Sequence, residues 1–177
     1  LNNDSIAVIG CRNCTQYGAK SAYKFGYELA KKGICVISGF ARGIDSYAHW
    51  GAINARGNTI AVLGCGLNVI YPEENLHLYR EILKNGGAII SEYPLGIKPE
   101  KNHFPARNRI ISGISDGVLV IEAKKRSGTM ITVEYALDQG KQVYALPGNI
   151  TSSNSYGTNE LIKEGALLVT NVEDIMF

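Results

Sequence analysis

The feature that most constrains the fold of this chain is a regular alternation of short apolar runs with helix-like segments, joined by turns that contain glycine. The apolar runs that we interpret as strands cover residues 6–9, 34–37, 59–63, 88–91, 117–123 and 142–146, and a further apolar run lies at residues 166–169. Strands that alternate with helices at this pace predict a parallel sheet with helices on both faces. We therefore predict a three-layer α/β fold with a mostly parallel sheet.

Composition bounds the class of protein but not its function. The 177 residues are 45% hydrophobic, which suits one globular domain with a substantial core. The net charge of +2 is too small to mark a nucleic-acid binder, so such a function depends on where the basic residues lie. The sequence has no run of 18 apolar residues and no signal peptide, so we expect no membrane association and a cytoplasmic location.

Cysteine spacing gives little support to a metal or redox site. Cys11 and Cys14 form a Cys-x-x-Cys pair, but a zinc site needs a second pair of ligands. Cys35 and Cys65 are far apart, and each is at or near the end of an apolar run. We expect no metal and no cofactor.

A first candidate anion site follows the apolar run 34–37, where the sequence reads Ser-Gly-Phe-Ala-Arg-Gly-Ile-Asp over residues 38–45. Gly39 and Gly43 allow a sharp turn and a close approach of a ligand to the backbone. The N–H groups at the start of the next helix favour an anion, and Arg42 adds a fixed positive charge. The alternative is a plain strand–helix connection with a surface arginine.

A second candidate site follows the apolar run 117–123. Lys124, Lys125 and Arg126 precede Ser127, Gly128 and Thr129, which repeats the order of strand end, glycine and helix start. This would be an anion site next to the first one if both strands point the same way. The alternative is a solvated charge run before a helix that Ser127 or Thr129 caps.

The segment 103–113 is predicted to be a helix with Pro105 in its first turn. We expect Ile110, Ile111 and Ile114 to face the core and Arg107 and Arg109 to project away from it. Together with the two turns, these arginines form a plausible track for a row of phosphates. Candidates for stacking on a base are Phe40, His103 and Phe104, and Asp45 and Glu122 are interpreted as partners that orient Arg42 or Arg107.

Five ordered stretches resemble the DNA-processing protein A (DprA/Smf) family, from about residue 6 to the C-terminus. They are residues 38–45, Phe-Pro-Ala-Arg-Asn-Arg-Ile-Ile-Ser-Gly over 104–113, Glu122 and Ala123 with Ser-Gly-Thr over 127–129, Leu-Pro-Gly over 146–148, and Gly-Thr-Asn over 157–159. The resemblance implies an extended Rossmann-like fold that binds single-stranded DNA, dimerises and loads the recombinase RecA during natural transformation. The DNA or phosphate contacts that it implies are Gly39, Phe40, Arg42, Gly43, Arg107, Asn108, Arg109, Lys124, Lys125, Arg126, Ser127, Gly128 and Thr129.

Full-length members of that family commonly carry an N-terminal helical domain and a C-terminal winged-helix domain. Neither is expected in residues 1–177, which we interpret as a single Rossmann-like DNA-binding domain. The family also dimerises through its C-terminal region. Leu161 and Ile162 are adjacent on a predicted short helix and diverge by about 100°, so we expect one of them to be exposed as a dimer contact.

Enzyme functions receive less support from the residues. The turn at 10–14 lacks Gly-x-Gly-x-x-Gly, which removes most of the support for a dehydrogenase. The chain also resembles the cytokinin-activating phosphoribohydrolases, but Glu134 lies two places late relative to their Gly-Gly-x-Gly-Thr-x-x-Glu motif and would point to the far side of its helix. We expect no enzymatic activity. A third possibility is a scaffold that holds RecA, with DNA binding incidental.

Overall fold

The computed structural model describes residues 4–175 and contains a seven-stranded sheet in which every pair of neighbouring strands is parallel. The strands are β1 Ser5–Gly10, β2 Cys35–Ser38, β3 Thr59–Leu63, β4 Ala88–Ser91, β5 Gly117–Glu122, β6 Gln142–Ala145 and β7 Leu167–Leu168. Their order is β4-β3-β2-β1-β5-β6-β7. From β1 the chain adds β2, β3 and β4 on one side and then β5, β6 and β7 on the other side. The switch point of the sheet therefore lies between β1 and β5.

Six α-helices within residues 4–175 cover the two faces of the sheet. They are α1 Gln16–Lys31, α2 Ile44–Asn54, α3 Leu76–Lys84, α4 His103–Gly113, α5 Gly128–Asp138 and α6 Tyr156–Lys163. Alternate residues of β1 show why two cores form: Ile6 and Val8 pack with residues of α1 and α2, whereas Ala7 and Ile9 pack with residues of α4, α5 and α6. This alternation follows from the two-residue period of a strand.

The predicted fold class is confirmed, and the sheet is wholly rather than mostly parallel. Two helices begin earlier than their sequence patterns predict. Helix α5 is predicted over residues 131–139 but begins at Gly128, directly after the extended residue Ser127. The polar composition of residues 151–157 predicts a loop, yet helix α6 begins at Tyr156. A final turn is predicted over residues 172–177; Val172–Asp174 form a 3-10 helix, and residues 176–177 lie outside the described part of the chain.

Parallel strands bring the turns that follow them to one edge of the sheet. The turns after β2, β1 and β5 therefore lie side by side, since β2 and β5 are the two neighbours of β1. Open parallel sheets bind ligands in the crevice at this carboxyl edge, beside the switch point. Within residues 4–175, none of the helices has the length and apolar character needed to cross a bilayer.

Candidate nucleic-acid interface

A cleft of about 630 Å³ opens at the carboxyl edge of the sheet, next to the switch point. We call it the switch-point cleft. Its walls come from the turn after β1, the turn after β2, helix α4 and the start of α5. Its lining includes Arg12, Asn13, Ala41, Asp45, Tyr71, Lys101, Phe104, Arg107, Asn108, Lys124, Ser127, Gly128 and Thr129.

The charges that line the switch-point cleft are mostly positive. Arg12, Lys101 and Lys124 are exposed side chains on its wall. The only acidic residue among the described lining residues is Asp45, whose carboxylate accepts hydrogen bonds from the backbone N–H of Gly39 at 3.0 Å and of Ala41 at 3.2 Å. Because that carboxylate is occupied by the turn, the cleft as a whole favours an anionic ligand.

The first predicted turn has the sharp geometry that its glycines indicate. Gly43 has a φ of +73°, and a Cβ there would meet the carbonyl oxygens of Cys11 and Arg12 at 2.4 and 2.3 Å. The turn after β2 is therefore pressed against the turn after β1. Phe40 has a φ of +59° but its side chain is only 1% exposed, packed edge-on against Tyr79. The prediction that Phe40 stacks on a base is wrong for this reason.

Arg107 does not project away from the core as predicted. It is 4% exposed, and its Nη1 donates to the carbonyl oxygen of Gly39 at 2.7 Å and to that of Val62. Burial lowers the pKa of Arg107 to about 10, and the nearby Asp45 carboxylate opposes that shift. Arg107 precedes the core residue Ile111 by four positions and so shares its helix face. Its role is to hold the ends of β2 and β3 together at the floor of the cleft.

Arg42 and Arg109 are exposed, and each is already paired with a carboxylate. Arg42 donates through Nε and Nη2 to Glu74, and Arg109 donates through Nη2 to Glu92. The bond to Glu74 raises the pKa of Arg42, and the same bond lowers the pKa of Glu74. A phosphate that contacts either arginine must therefore compete with a carboxylate.

The predicted orienting acids have different partners. Asp45 does lie beside Arg107, whose charge opposes the rise that burial causes in the pKa of the Asp45 carboxyl. The Glu122 carboxylate instead accepts from the Thr15 backbone N–H at 2.9 Å and from the Thr15 hydroxyl. Asn154 Nδ2 also donates to Glu122, at 3.4 Å. Glu122 therefore fixes the start of α1 rather than a basic side chain.

The second predicted turn presents Lys124, Lys125 and Arg126 to solvent. Ser127 occupies the N-cap position of α5, yet its side chain makes no capping bond, and its buried hydroxyl has no hydrogen-bond partner among the described residues. Asn108 Nδ2 donates to the carbonyl of Gly128 at 3.3 Å and so ties α4 to this turn. The two predicted anion sites lie on one edge and face the same cleft.

Arg12, Tyr71 and Lys101 also line the cleft, although they were not among the site residues predicted from the sequence. The Arg12 guanidinium lies 5.1 Å from the centre of the Phe104 ring, which in turn lies 5.6 Å from the Tyr71 ring. Phe104 is half-buried and was among the predicted stacking residues. Arg12 had a detectable signal, because it follows the first strand as Arg42 and Lys124 follow the second and fifth.

The described residues 4–175 contain no group of three or more His, Cys, Asp or Glu side chains placed to hold a metal ion. Burial raises the pKa of Cys11, which lines the cleft, and of Cys14, and it opposes their thiolate forms. Glu134 is exposed and does not line the cleft, whereas Thr132, on the same helix, does.

The model of the family described as DNA recombination-mediator protein A matches residues 1–177. The chain belongs to this family. It is 48% identical to protein Smf of Escherichia coli over 99% of its length and 47% identical to the DNA processing protein DprA of Streptococcus pneumoniae, also over 99%. It spans 47% and 62% of those two proteins, about half the length of such relatives.

Solved structures of family members share the fold described above. The X-ray structure of DprA from S. pneumoniae matches with a TM-score of 0.91 and 46% identity, over 97% of this chain and 60% of that one. DprA from Helicobacter pylori, for which a single-stranded DNA binding mode is described, matches with a TM-score of 0.88 and 35% identity, over 97% of this chain and 77% of that one. A molybdenum cofactor binding protein from Rippkaea orientalis, 22% identical with a TM-score of 0.71 over 98% of this chain and 93% of its own, shares the fold.

The dimer contact predicted for this family member needs a correction at residue level. Leu161 is 5% exposed and belongs to the core beneath α6, and Ile162 is half-buried and packs against the same core. Ile162 keeps part of its surface exposed, so of the two residues it alone stays a predicted dimer contact. Leu161 is therefore not available to a partner.

Proposed function

We propose that this chain binds single-stranded DNA without sequence preference and protects it in the switch-point cleft. The observation that carries the proposal is the charge of the cleft: Arg12, Lys101 and Lys124 line it, and Asp45, the only acid among its described lining residues, is committed to backbone N–H groups. A row of phosphates is the ligand that such a cleft at the carboxyl edge fits best. The single-stranded DNA binding mode described for H. pylori DprA supports the same assignment.

The cleft offers phosphate contacts and one ring face. Arg12, Lys101 and Lys124 would neutralise phosphates, together with the N–H groups at the starts of α2 and α5. The Phe104 ring, beside Arg12, would stack on a base. Phosphates and ring faces are common to all nucleotides, so such contacts carry little sequence information.

A salt titration of binding to a labelled oligothymidylate tests this proposal. Removing one basic side chain that neutralises a phosphate of a single strand reduces the slope of log K against log salt by roughly 0.7. We expect Lys101→Ala and Lys124→Ala each to weaken binding and to flatten the slope by about that amount. Lys84→Ala is the matched control, since Lys84 is an exposed lysine on α3 that does not line the cleft. Unchanged affinity and slope in both cleft variants would contradict the proposal.

We also propose that the domain acts in the cytoplasm as a homodimer that loads RecA onto the bound strand. What supports an apolar self-contact is the edge strand β7, where Leu167 and Leu168 are 37% and 50% exposed. Sedimentation of Leu168→Glu against the unmodified chain tests the dimer. RecA filament assembly on a coated single strand, with and without the domain, tests loading.

A phosphoribohydrolase activity is the less favoured alternative. Its acid would have to come from Glu134, which is exposed and does not line the cleft. We expect no free base to be released from a nucleoside monophosphate. Turnover that disappears in Glu134→Gln would establish the enzyme instead.

A further inference from the structure

Helix α6 is fastened to the end of β5, beside the switch-point cleft. The backbone N–H of Gly157 donates to the carbonyl of Ala123 at 2.7 Å, and the N–H of Ala123 donates to the carbonyl of Asn154 at 2.8 Å. Asn159 exchanges two hydrogen bonds with the backbone of Gly148, at 3.1 and 3.0 Å. The first residue of α6, Tyr156, is therefore held in a fixed place next to the basic turn that follows β5.

Tyr156 is an exposed aromatic residue with a basic neighbour. Its side chain is 42% exposed, and the Nζ of Lys125 lies 5.2 Å from the centre of its ring. Lys124, which precedes Lys125, lines the cleft, whereas Tyr156 does not. A strand that leaves the cleft past Lys124 would therefore meet Lys125 and then the face of the Tyr156 ring.

We infer that Tyr156 is a stacking platform for a nucleotide just outside the switch-point cleft, with Lys125 as the phosphate contact that accompanies it. The inference rests on the proposed function, because it extends the path of the same strand. Lys125 has a long flexible side chain, so its ammonium can move from the ring to a phosphate and leave a ring face free for a base. Stacking of a base on an aromatic ring accepts any base, which agrees with binding that has no sequence preference.

The position of Tyr156 fits the direction in which the strand must run. The first glycine turn follows β2 and Lys124 follows β5, on opposite sides of β1. A strand that contacts both crosses the edge of the sheet from β2 towards β5 and β6. Helix α6 packs beside β5 and β6, so Tyr156 lies on the continuation of that line.

Affinity for oligothymidylates of increasing length, from four to about sixteen nucleotides, tests the inference. We expect Tyr156→Ala to bind the shortest oligonucleotides like the unmodified chain and to bind the longer ones at least about five-fold more weakly, since one stacked base contributes that much or more. Tyr156→Phe keeps the ring and should bind normally at every length. Lys125→Ala should flatten the salt slope for long oligonucleotides by roughly 0.7.

The matched control is a second lysine–tyrosine pair, near the C-terminal end of α1. Lys31 Nζ lies 5.9 Å from the centre of the Tyr27 ring, and neither residue lines the cleft. Tyr27→Ala should leave the affinity unchanged at all lengths. Irradiation of a complex with a 5-iodouracil oligonucleotide should cross-link Tyr156 and not Tyr27, as mass spectrometry of the peptides would show.

The outcomes separate this inference from the proposed function. If the unmodified chain does not bind oligothymidylate, the proposed function itself fails. If it binds, but Tyr156→Ala matches it at every length and no cross-link forms at Tyr156, the platform is overturned while the cleft stands. Normal binding by Tyr156→Leu would also overturn stacking, because leucine supplies apolar surface without a ring.

Discussion

Arg107 is the residue that connects the core to the switch-point cleft. Its guanidinium bonds the carbonyls of Gly39 and Val62, at the ends of two adjacent strands, and it lies beside the buried carboxylate of Asp45. Asp45 in turn holds the N–H groups of Gly39 and Ala41. A buried cation and a buried anion thus shape one glycine turn, and each compensates for the burial of the other.

Replacement of Arg107 should destabilise the whole domain. Arg107→Met keeps much of the side-chain volume but leaves the Asp45 charge buried without its cation, so we expect a loss of about 3–5 kcal/mol in the free energy of unfolding. Urea denaturation measures it. The control is Arg109→Ala, which breaks an exposed pair with Glu92 and should cost no more than about 1 kcal/mol. Equal effects of the two substitutions would show that Arg107 is not a structural clamp.

His49 should make the stability of the domain depend on pH. It is fully buried, and the Thr59 hydroxyl already donates to the carbonyl of Val36, so His49 Nδ1 must donate to that hydroxyl, at 2.6 Å. Nε2 then has no partner among the described residues. Burial, assisted by the charge of Arg107, lowers the pKa of His49 to about 3 from its ordinary value of 6.5.

The sign of the pH effect follows from this lowered pKa. Below pH 6.5, His49 binds a proton in the unfolded chain but stays neutral in the folded chain. The free energy of unfolding therefore decreases as the pH falls from about 6.5 towards 3. When the pH falls from 7 to 5, we expect the free energy of unfolding of His49→Asn to decrease by about 2 kcal/mol less than that of the unmodified chain. The control is His77→Asn at an exposed histidine. Parallel stability curves for the unmodified chain and His49→Asn would contradict the assignment.

At the scale of elements, α1 and α2 approach each other through glycines. A Cβ at Gly26 would meet the carbonyl oxygen of Ala48 at 2.3 Å, and one at Gly51 would meet that of Tyr23 at 2.2 Å. Both contacts are with backbone, which cannot rotate away. The two helices therefore pack at a separation that only these glycines allow, and this packing places α2 and the glycine turn before it.

Gly26→Ala should separate the two helices and destabilise the domain by about 1–3 kcal/mol, the usual cost of overpacking. The matched control is Gly113→Ala at the end of α4, where a Cβ would touch only the Gln139 side chain, at 3.6 Å or more. Alanine favours the helix by up to about 1 kcal/mol over glycine, so the control should be neutral or stabilising. Thermal unfolding of both variants decides whether space at the helix contact, rather than helix propensity, sets the outcome.

At the scale of the whole molecule, the net charge is small, but the charged residues are not evenly distributed over the surface. Basic residues gather at the carboxyl edge of the sheet, and Glu74 and Glu92 hold two of the arginines at that edge. These carboxylates compete with phosphate for the same guanidinium groups. If this edge binds DNA as proposed, its affinity would depend on how much more strongly Arg42 and Arg109 interact with phosphate than with these carboxylates.

Removal of one competing carboxylate should strengthen DNA binding. In Glu74→Gln, Arg42 is free to contact a phosphate, so we expect tighter binding and a salt slope steeper by roughly 0.7. The matched control is Glu173→Gln, which breaks an exposed pair with Lys32, away from the residues that line the cleft, and should change neither quantity. Weaker binding by Glu74→Gln would show that the pair orients Arg42 for DNA instead of restraining it.

Local patterns in the amino-acid sequence were sufficient to predict the class of fold and the edge of the sheet that carries the candidate site. Apolar runs, each followed by a glycine turn and a helical pattern, have local causes: strand and helix periods and the backbone freedom of glycine. Those causes placed six of the seven strands close to their bounds in the structure and brought the two basic turns to one cleft.

Long-range packing, in contrast, sets what individual side chains do. Arg107 and Phe40 were predicted to meet the ligand, yet both are buried, because helix α4 and the glycine turn pack against strands far away in the chain. Arg12 and Lys101 line the cleft because segments that are distant in sequence pack together to form its walls. A local pattern states which faces are apolar, whereas the burial and pairing of a charged group depend on contacts between distant segments that no local pattern contains.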